Sequence, residues 1–137
     1  MARVSIKELI AQAKSGIENL PVEDALALHG REDVVFVDLR DIRELTREGM
    51  IAGAFHAPRG MLEFWIDPDS PYHKDIFGQD KTYIFHCAGG LRSALATQVA
   101  QRMGLQPVLN MTGGFGAWKK AGGPVEQFTR PPSQPSD

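Results

Sequence analysis

The sequence predicts an open α/β domain with a central, mainly parallel sheet and helices on both faces, and three observations point there. Two apolar runs, at residues 34–39 and Thr82–His86, are rich in β-branched and aromatic residues and lack polar alternation, the pattern of strands covered on both sides. Segments of helical period alternate with these strands along the chain. The 137 residues, 42% apolar and 23% charged, suit one globular domain that buries roughly two-thirds of the surface its unfolded chain exposes.

The elements follow in order. Ser5 with Glu8 three residues later is a capping-box signature, and Ile6, Leu9, Ile10 and Ala13 recur at helical spacing until Gly16, so residues 5–15 read as a helix. An extended piece at 17–20 precedes Pro21, which sits in the first turn of a second helix through Val22, Ala25, Leu26 and Leu28, ending at Gly30. The strand at 34–39 leads to a polar helix at 41–48 and a short strand at 54–57. Residues 58–80, with Phe64, Trp65, Pro68, Pro71 and Phe77, read as irregular. The strand Thr82–His86 runs into Cys87-Ala88-Gly89-Gly90-Leu91-Arg92-Ser93 and a helix to about Met103, closed by Gly104. A further strand at Val108–Met111 passes through Gly113-Gly114 to a helix at 115–121. The tail after Pro124, ending RPPSQPSD, reads as disordered.

Charge and cysteine content narrow the function. The net charge is -2 and the two signs are interspersed, so no basic stripe offers nucleic acid a surface. Arg3, Lys7, Glu8 and Lys14 interrupt the N-terminus, which lacks the apolar core of a signal peptide, and no run reaches transmembrane length. A soluble, cytoplasmic protein without a membrane or nucleic-acid partner is expected. Cys87 is the only cysteine, so no intramolecular disulfide and no internal resolving thiol exist. Whatever Cys87 takes up must leave to another molecule.

Cys87 stands at the carboxyl end of a strong strand, where ligands bind in open α/β sheets. Gly89 and Gly90 permit a tight turn whose N–H groups can face the sulfur, the following helix adds the positive end of its dipole, and Arg92 adds a fixed charge. All of these favour thiolate over thiol, so Cys87 reads as a nucleophile rather than an inert buried side chain. Ser93 can serve either as a helix cap or at the sulfur. His29, His56, His73 and His86 lack metal-ligand spacing with Cys87, and no phosphate-loop sequence occurs, so no cofactor or metal is expected.

CAGGLRS resembles the active-site loop of rhodanese-domain sulfurtransferases, which often has the form Cys-x-x-Gly-x-Arg-Ser. VDLRDIREL at 37–45 resembles the family's Val-Asp-x-Arg-x-x-x-Glu segment. GMIAGAFHAP at 49–58 is similar to its Gly-His-Ile-Pro-Gly-Ala segment, with Met50 and Ala52 departing from the pattern. MTGGFGAWKKAGGPV at 111–125 is similar to its Gly-Gly-x-x-x-Trp ending. The resemblance implies a five-stranded, mainly parallel rhodanese-like sheet. It divides the chain into an N-terminal helical extension at 1–16, a rhodanese-like domain at 17–126 and a disordered tail at 127–137.

It further implies a thiosulfate sulfurtransferase that carries a sulfane sulfur as a persulfide on Cys87. Arg92 would position the anionic donor, and the loop Ala88, Gly89, Gly90, Leu91, Arg92 and Ser93 would hold the persulfide. The expected partners are a small sulfur donor such as thiosulfate and cyanide or a thiol as acceptor, a thioredoxin-like protein among them. Asp38, Arg40 and Glu44 match a motif read as scaffold, and Trp118 and Gly114 one read as packing. Leu91, with Phe64 and Trp65 if their stretch folds over the site, would make the mouth apolar, whereas Arg59 reads as a solvated surface residue. Two alternatives stay open. One is a non-catalytic rhodanese-like binding or relay module. The other is a Cys-dependent phosphatase, whose loop carries five residues between Cys and Arg where this chain has four, and for which Asp67, Asp69 or Asp75 would have to supply a general acid.

Overall fold

Alternate side chains of the two apolar strands need cover on opposite faces, and that requirement sets the architecture of the computed structural model, which describes residues 3–129. Strands β1 (Glu18–Leu20), β2 (Val34–Asp38), β4 (Phe55–His56), β5 (Thr82–His86) and β6 (Val108–Met111) form one sheet in the order β1-β6-β5-β2-β4. All its pairings are parallel, with β5 at the centre, Val34 opposite Thr82 and Asp38 opposite His86. Val37, Tyr83 and Phe85 face α4 (Leu62–Ile66) and α5 (Leu91–Arg102), where they pack with Leu62, Ile66, Ala96 and Ala100. Phe36 and Ile84 face the other way, onto Val22 and Ala25 of α2 (Val22–Leu28) and Phe115 and Trp118 of α6 (Gly114–Lys120).

Helix α1 (Ile6–Gly16) begins where expected, but only half of its capping box forms: the Ser5 hydroxyl accepts from the Glu8 N–H. The complete box belongs to α3 (Ile42–Glu48). There the Asp41 carboxylate accepts from the Arg43 N–H, and Glu44 accepts from the Asp41 N–H. Pro21 takes the N-cap of α2 rather than its first turn. Two further departures concern short pieces. Residues 58–80 are not wholly irregular, since they contain α4 flanked by 3₁₀ turns at Arg59–Met61 and Asp75–Gly78. The chain after Pro124 first forms β7 (Val125–Glu126), antiparallel to β3 (Met50–Ile51) in a second, two-stranded sheet. Within the tail expected at 127–137, residues 127–129 are neither helix nor strand, and 130–137 lie outside the described residues. No helix among the described residues is long and apolar enough to cross a membrane.

The carboxyl end of β2 is tied down by a buried ion pair. Arg40 Nη2 donates to Asp38 Oδ2 at 2.7 Å and Nε to Oδ1 at 3.0 Å, with both residues essentially inaccessible to solvent. Arg40 Nη2 also donates to the Gly49 carbonyl at 2.8 Å, and the guanidinium lies 4.2 Å from the centre of the Phe115 ring. Burial pushes the Asp38 carboxyl up, but the facing His86 and Arg40 side chains outweigh it and hold it well below the usual carboxylate range. The resulting stabilisation is present above the ordinary carboxylate range, about pH 4, and is lost as the pH falls through the depressed value. Asp38→Asn, which leaves Arg40 buried without a counter-charge, is expected to cost about 3–5 kcal/mol in neutral urea unfolding. That deficit should narrow as the pH drops below about 4.

Candidate active site

The loop between β5 and α5 is held from outside by two of its carbonyls. The Phe115 N–H donates to the Cys87 carbonyl at 2.8 Å and the Gly116 N–H to the Ala88 carbonyl at 3.2 Å, so the first turn of α6 takes up both oxygens. This contact requires Gly114, whose φ is +60° and whose added Cβ would lie 2.5 Å from the Cys87 oxygen. Gly90, at φ +94°, then caps α5 in the left-handed region and reverses the chain.

Three donors converge on the sulfur. The Gly90 N–H lies 3.2 Å from Cys87 Sγ, and the Ser93 N–H and hydroxyl each lie 3.4 Å from it. Burial of Cys87, which is 1% exposed, would raise its thiol. The Ser93 hydroxyl and the N–H groups of Ser93, Gly89 and Gly90 overcome that and hold the thiol below its usual range. Ser93 is not the helix cap: Gly90 occupies that position, and the Ser93 side chain, in the first turn of α5, is aimed at the sulfur and at Asn110 instead.

The remaining expected residues divide between the loop and its rim. Ala88, Gly89 and Leu91 are exposed, Leu91 at 50%, while Gly90 is buried. Arg92 does not hang free. Its two terminal nitrogens donate to the Glu44 carboxylate at 2.7 and 3.0 Å, and this partner, with the nearby sulfur, holds the guanidinium firmly in its charged form. The scaffold motif therefore reaches the site itself: Glu44 joins the start of α3 to the start of α5. Trp118 is fully buried and its indole N–H donates to the Pro124 carbonyl at 2.9 Å, a packing role.

A cleft of about 500 Å³ opens at this rim, with Leu39, Ile42, Trp65, Arg40, Arg59 and Arg92 among its walls. Trp65 lines it as expected, but Phe64 does not and packs edge-on against Tyr72. Arg59 faces this cleft, paired at 2.8 Å with Glu63, rather than standing apart on the surface. Asn110, fully buried on β6, is a site residue that the sequence reading missed. Its only signal there is a polar side chain in the apolar run Val108–Met111. Among the described residues no group of three or more His, Cys, Asp or Glu side chains is placed to hold a metal ion.

The order of strands and the helices that cover them are those of a known family. The chain belongs to the rhodanese-like domain family, whose pattern matches residues 21–121. It is 31% identical to a sulfurtransferase of Allochromatium vinosum over 94 residues, 69% of this chain and 79% of that relative. Among solved structures it resembles a Rhodopseudomonas palustris protein of unknown function, described as a possible tyrosine phosphatase. The TM-score is 0.89 at 58% identity, covering 92% of this chain and 97% of that one. It also resembles a thiosulfate sulfurtransferase of Pseudomonas aeruginosa at a TM-score of 0.74 and 25% identity, over 91% of this chain and 23% of that one.

Gly114→Ala sets a methyl group against two carbonyl oxygens and strains a left-handed residue. It is expected to destabilise the fold by about 2 kcal/mol or more in urea unfolding, and to loosen the loop so that the Cys87 thiol titrates at higher pH.

Proposed function

We propose that this chain is a sulfurtransferase that moves a sulfane sulfur from an anionic donor such as thiosulfate to cyanide or a thiol through a persulfide on Cys87. The convergence of the Gly90 N–H and the Ser93 N–H and hydroxyl on one sulfur atom carries this reading. Cys87 as thiolate attacks the outer sulfur of the donor. The sulfur–sulfur bond of thiosulfate breaks and sulfite leaves with its electron pair. The loop N–H groups then face the negative outer sulfur of the persulfide, while Arg92 at the rim attracts the incoming anion. An acceptor nucleophile bonds to that outer sulfur, and the electrons of the broken bond return to Cys87. A free protein thiol, as on a thioredoxin-like partner, is one acceptor the exposed Leu91 and the apolar cleft wall suit. A cytoplasmic setting suits a lone thiol, which stays reduced there.

The description of the Rhodopseudomonas palustris protein favours a second reading, hydrolysis of a phosphate ester on the same cysteine. Three features weigh against it. Four residues, rather than five, separate Cys87 from Arg92. Asp67, Asp69 and Asp75 are absent from the cleft walls, and Asp41, the acid among them, is paired with Arg43 at 2.9 Å.

Intact mass separates the readings. Thiosulfate should add one sulfur atom to the wild type and none to Cys87→Ser, and cyanide should remove it with release of thiocyanate. Arg92→Ala should still form the adduct but load it about tenfold or more slowly, the worth of one charge-assisted contact. Hydrolysis of a generic phosphate ester without any sulfur adduct would establish the phosphatase instead. Neither activity would leave a binding module.

A further inference from the structure

Ser93 and Asn110 are both fully buried and share a short hydrogen bond, with Ser93 Oγ 2.6 Å from Asn110 Oδ1. The surroundings fix which end of the amide faces the serine. The other end meets two acceptors, Asn19 Oδ1 at 3.3 Å and the Gly90 carbonyl at 3.5 Å. Asn19 is itself oriented, because its amide nitrogen donates to the Lys14 carbonyl at 3.0 Å. Asn110 Nδ2 therefore points to Asn19 and Gly90, and Oδ1 points to Ser93. An amide oxygen has no proton to give, so the serine donates. Its hydroxyl carries one proton, and two acceptors face it: Asn110 Oδ1 and, at 3.4 Å, Cys87 Sγ.

We propose that Asn110 is a positioning residue for sulfur transfer, holding the Ser93 proton while Cys87 carries a sulfur and yielding it to the bare sulfur anion once that sulfur has left. The proposal rests on reading Cys87 as the sulfur carrier. In the persulfide the negative charge sits on the outer sulfur, Sγ is a neutral divalent atom, and Ser93 donates to Asn110. When an acceptor bonds to the outer sulfur, the sulfur–sulfur bond breaks and its electron pair stays on Sγ. The anion then stands beside the hydroxyl, which rotates toward it. Asn110 Oδ1 loses its donor in a buried site, and that loss works against the anion. Loading reverses the sequence: the thiolate attacks the donor, sulfite departs with the electron pair, and the hydroxyl swings back. Asn110 thus sets how tightly the empty loop holds its negative charge. Asn19, which holds Asn110 in this orientation, lies on β1, just N-terminal to the residues that match the family pattern.

The test is a titration of the resting thiol, followed by the ultraviolet absorbance of the thiolate with no sulfur donor present. Cys87 is the only cysteine, so subtracting the Cys87→Ser curve isolates it. The surrounding charged and titratable groups are the same in every variant: His86 on β5, the Asp38–Arg40 pair after β2, and Arg92 with Glu44 between α5 and α3. Asn110→Ala removes the competitor and should lower the midpoint by about half a pH unit or more, while Ser93→Ala should raise it by a similar amount. In the Ser93→Ala background, adding Asn110→Ala should change nothing, whereas a packing role alone would shift both backgrounds alike. Asn19→Ala, at an exposed position, frees the amide to turn and should lower the midpoint too, which keeps the test decisive if Asn110→Ala does not fold. A midpoint unchanged or raised in the Asn variants that fold, or an Asn110 effect that survives without the Ser93 hydroxyl, overturns the proposal. Failure of thiosulfate to load Cys87 would instead count against the sulfurtransferase reading, and the donor-free titration tells the two failures apart.

Discussion

The buried pair between Asp38 and Arg40 is the constraint around which the site is assembled. Two opposite charges out of solvent need compensating hydrogen bonds, and although Arg40 Nη1 finds no partner among the described residues, the rest of the pair recruits several elements at once. Arg40 reaches the Gly49 carbonyl at the end of α3, stacks on Phe115 of α6, and offers its own carbonyl to His56 of β4 at 2.8 Å. Asp38 faces His86, the residue before Cys87, at 3.3 Å. The parts that flank Cys87 are thereby fixed relative to one another by a single charge pair at the end of β2.

Upon that frame the loop works through its outer surface as much as its inner one. A peptide plane whose oxygen is fastened to the N-terminus of α6 presents its N–H on the other side. Gly114, read from the sequence as packing, lets α6 hold the Cys87 and Ala88 carbonyls, and the Ala88 peptide turns the Gly89 N–H toward the sulfur. The same economy appears at the rim, where Glu44 completes the cap of α3 and also grips Arg92. One carboxylate thus sets the start of one helix and the direction of the cation at the start of another.

How far these features could be read in the sequence depended on their range. The covered strands, the cysteine at the end of β5 and the glycine turn after it are local patterns, and they stand where the apolar runs and glycines put them. Strands β3 and β7 are two residues each, too short for any period to register. Helix α4 is five residues within a stretch bounded by prolines, which masked it. Ser93 was ambiguous because a hydroxyl near a helix start suits a cap equally well, and only the position of Gly90 decides. The links from Glu44 to Arg92 and from Asn110 to Ser93 join residues distant in the chain, so no spacing announces them.

The pairing of β1 with β6 and of β3 with β7 also bears on the order in which the fold can assemble. Glu18 finds its partner in Leu109, and Met50 in Glu126. A nascent chain leaving the ribosome must therefore carry its first strand unpaired until almost the whole of the domain has been made. Most of the sheet is of this non-local kind, and the entropy of closing such long loops is spent before the contacts reward it. The topology favours late, concerted folding over growth from the N-terminal end. It leaves the exposed edge of β1 as the segment most in need of protection during synthesis.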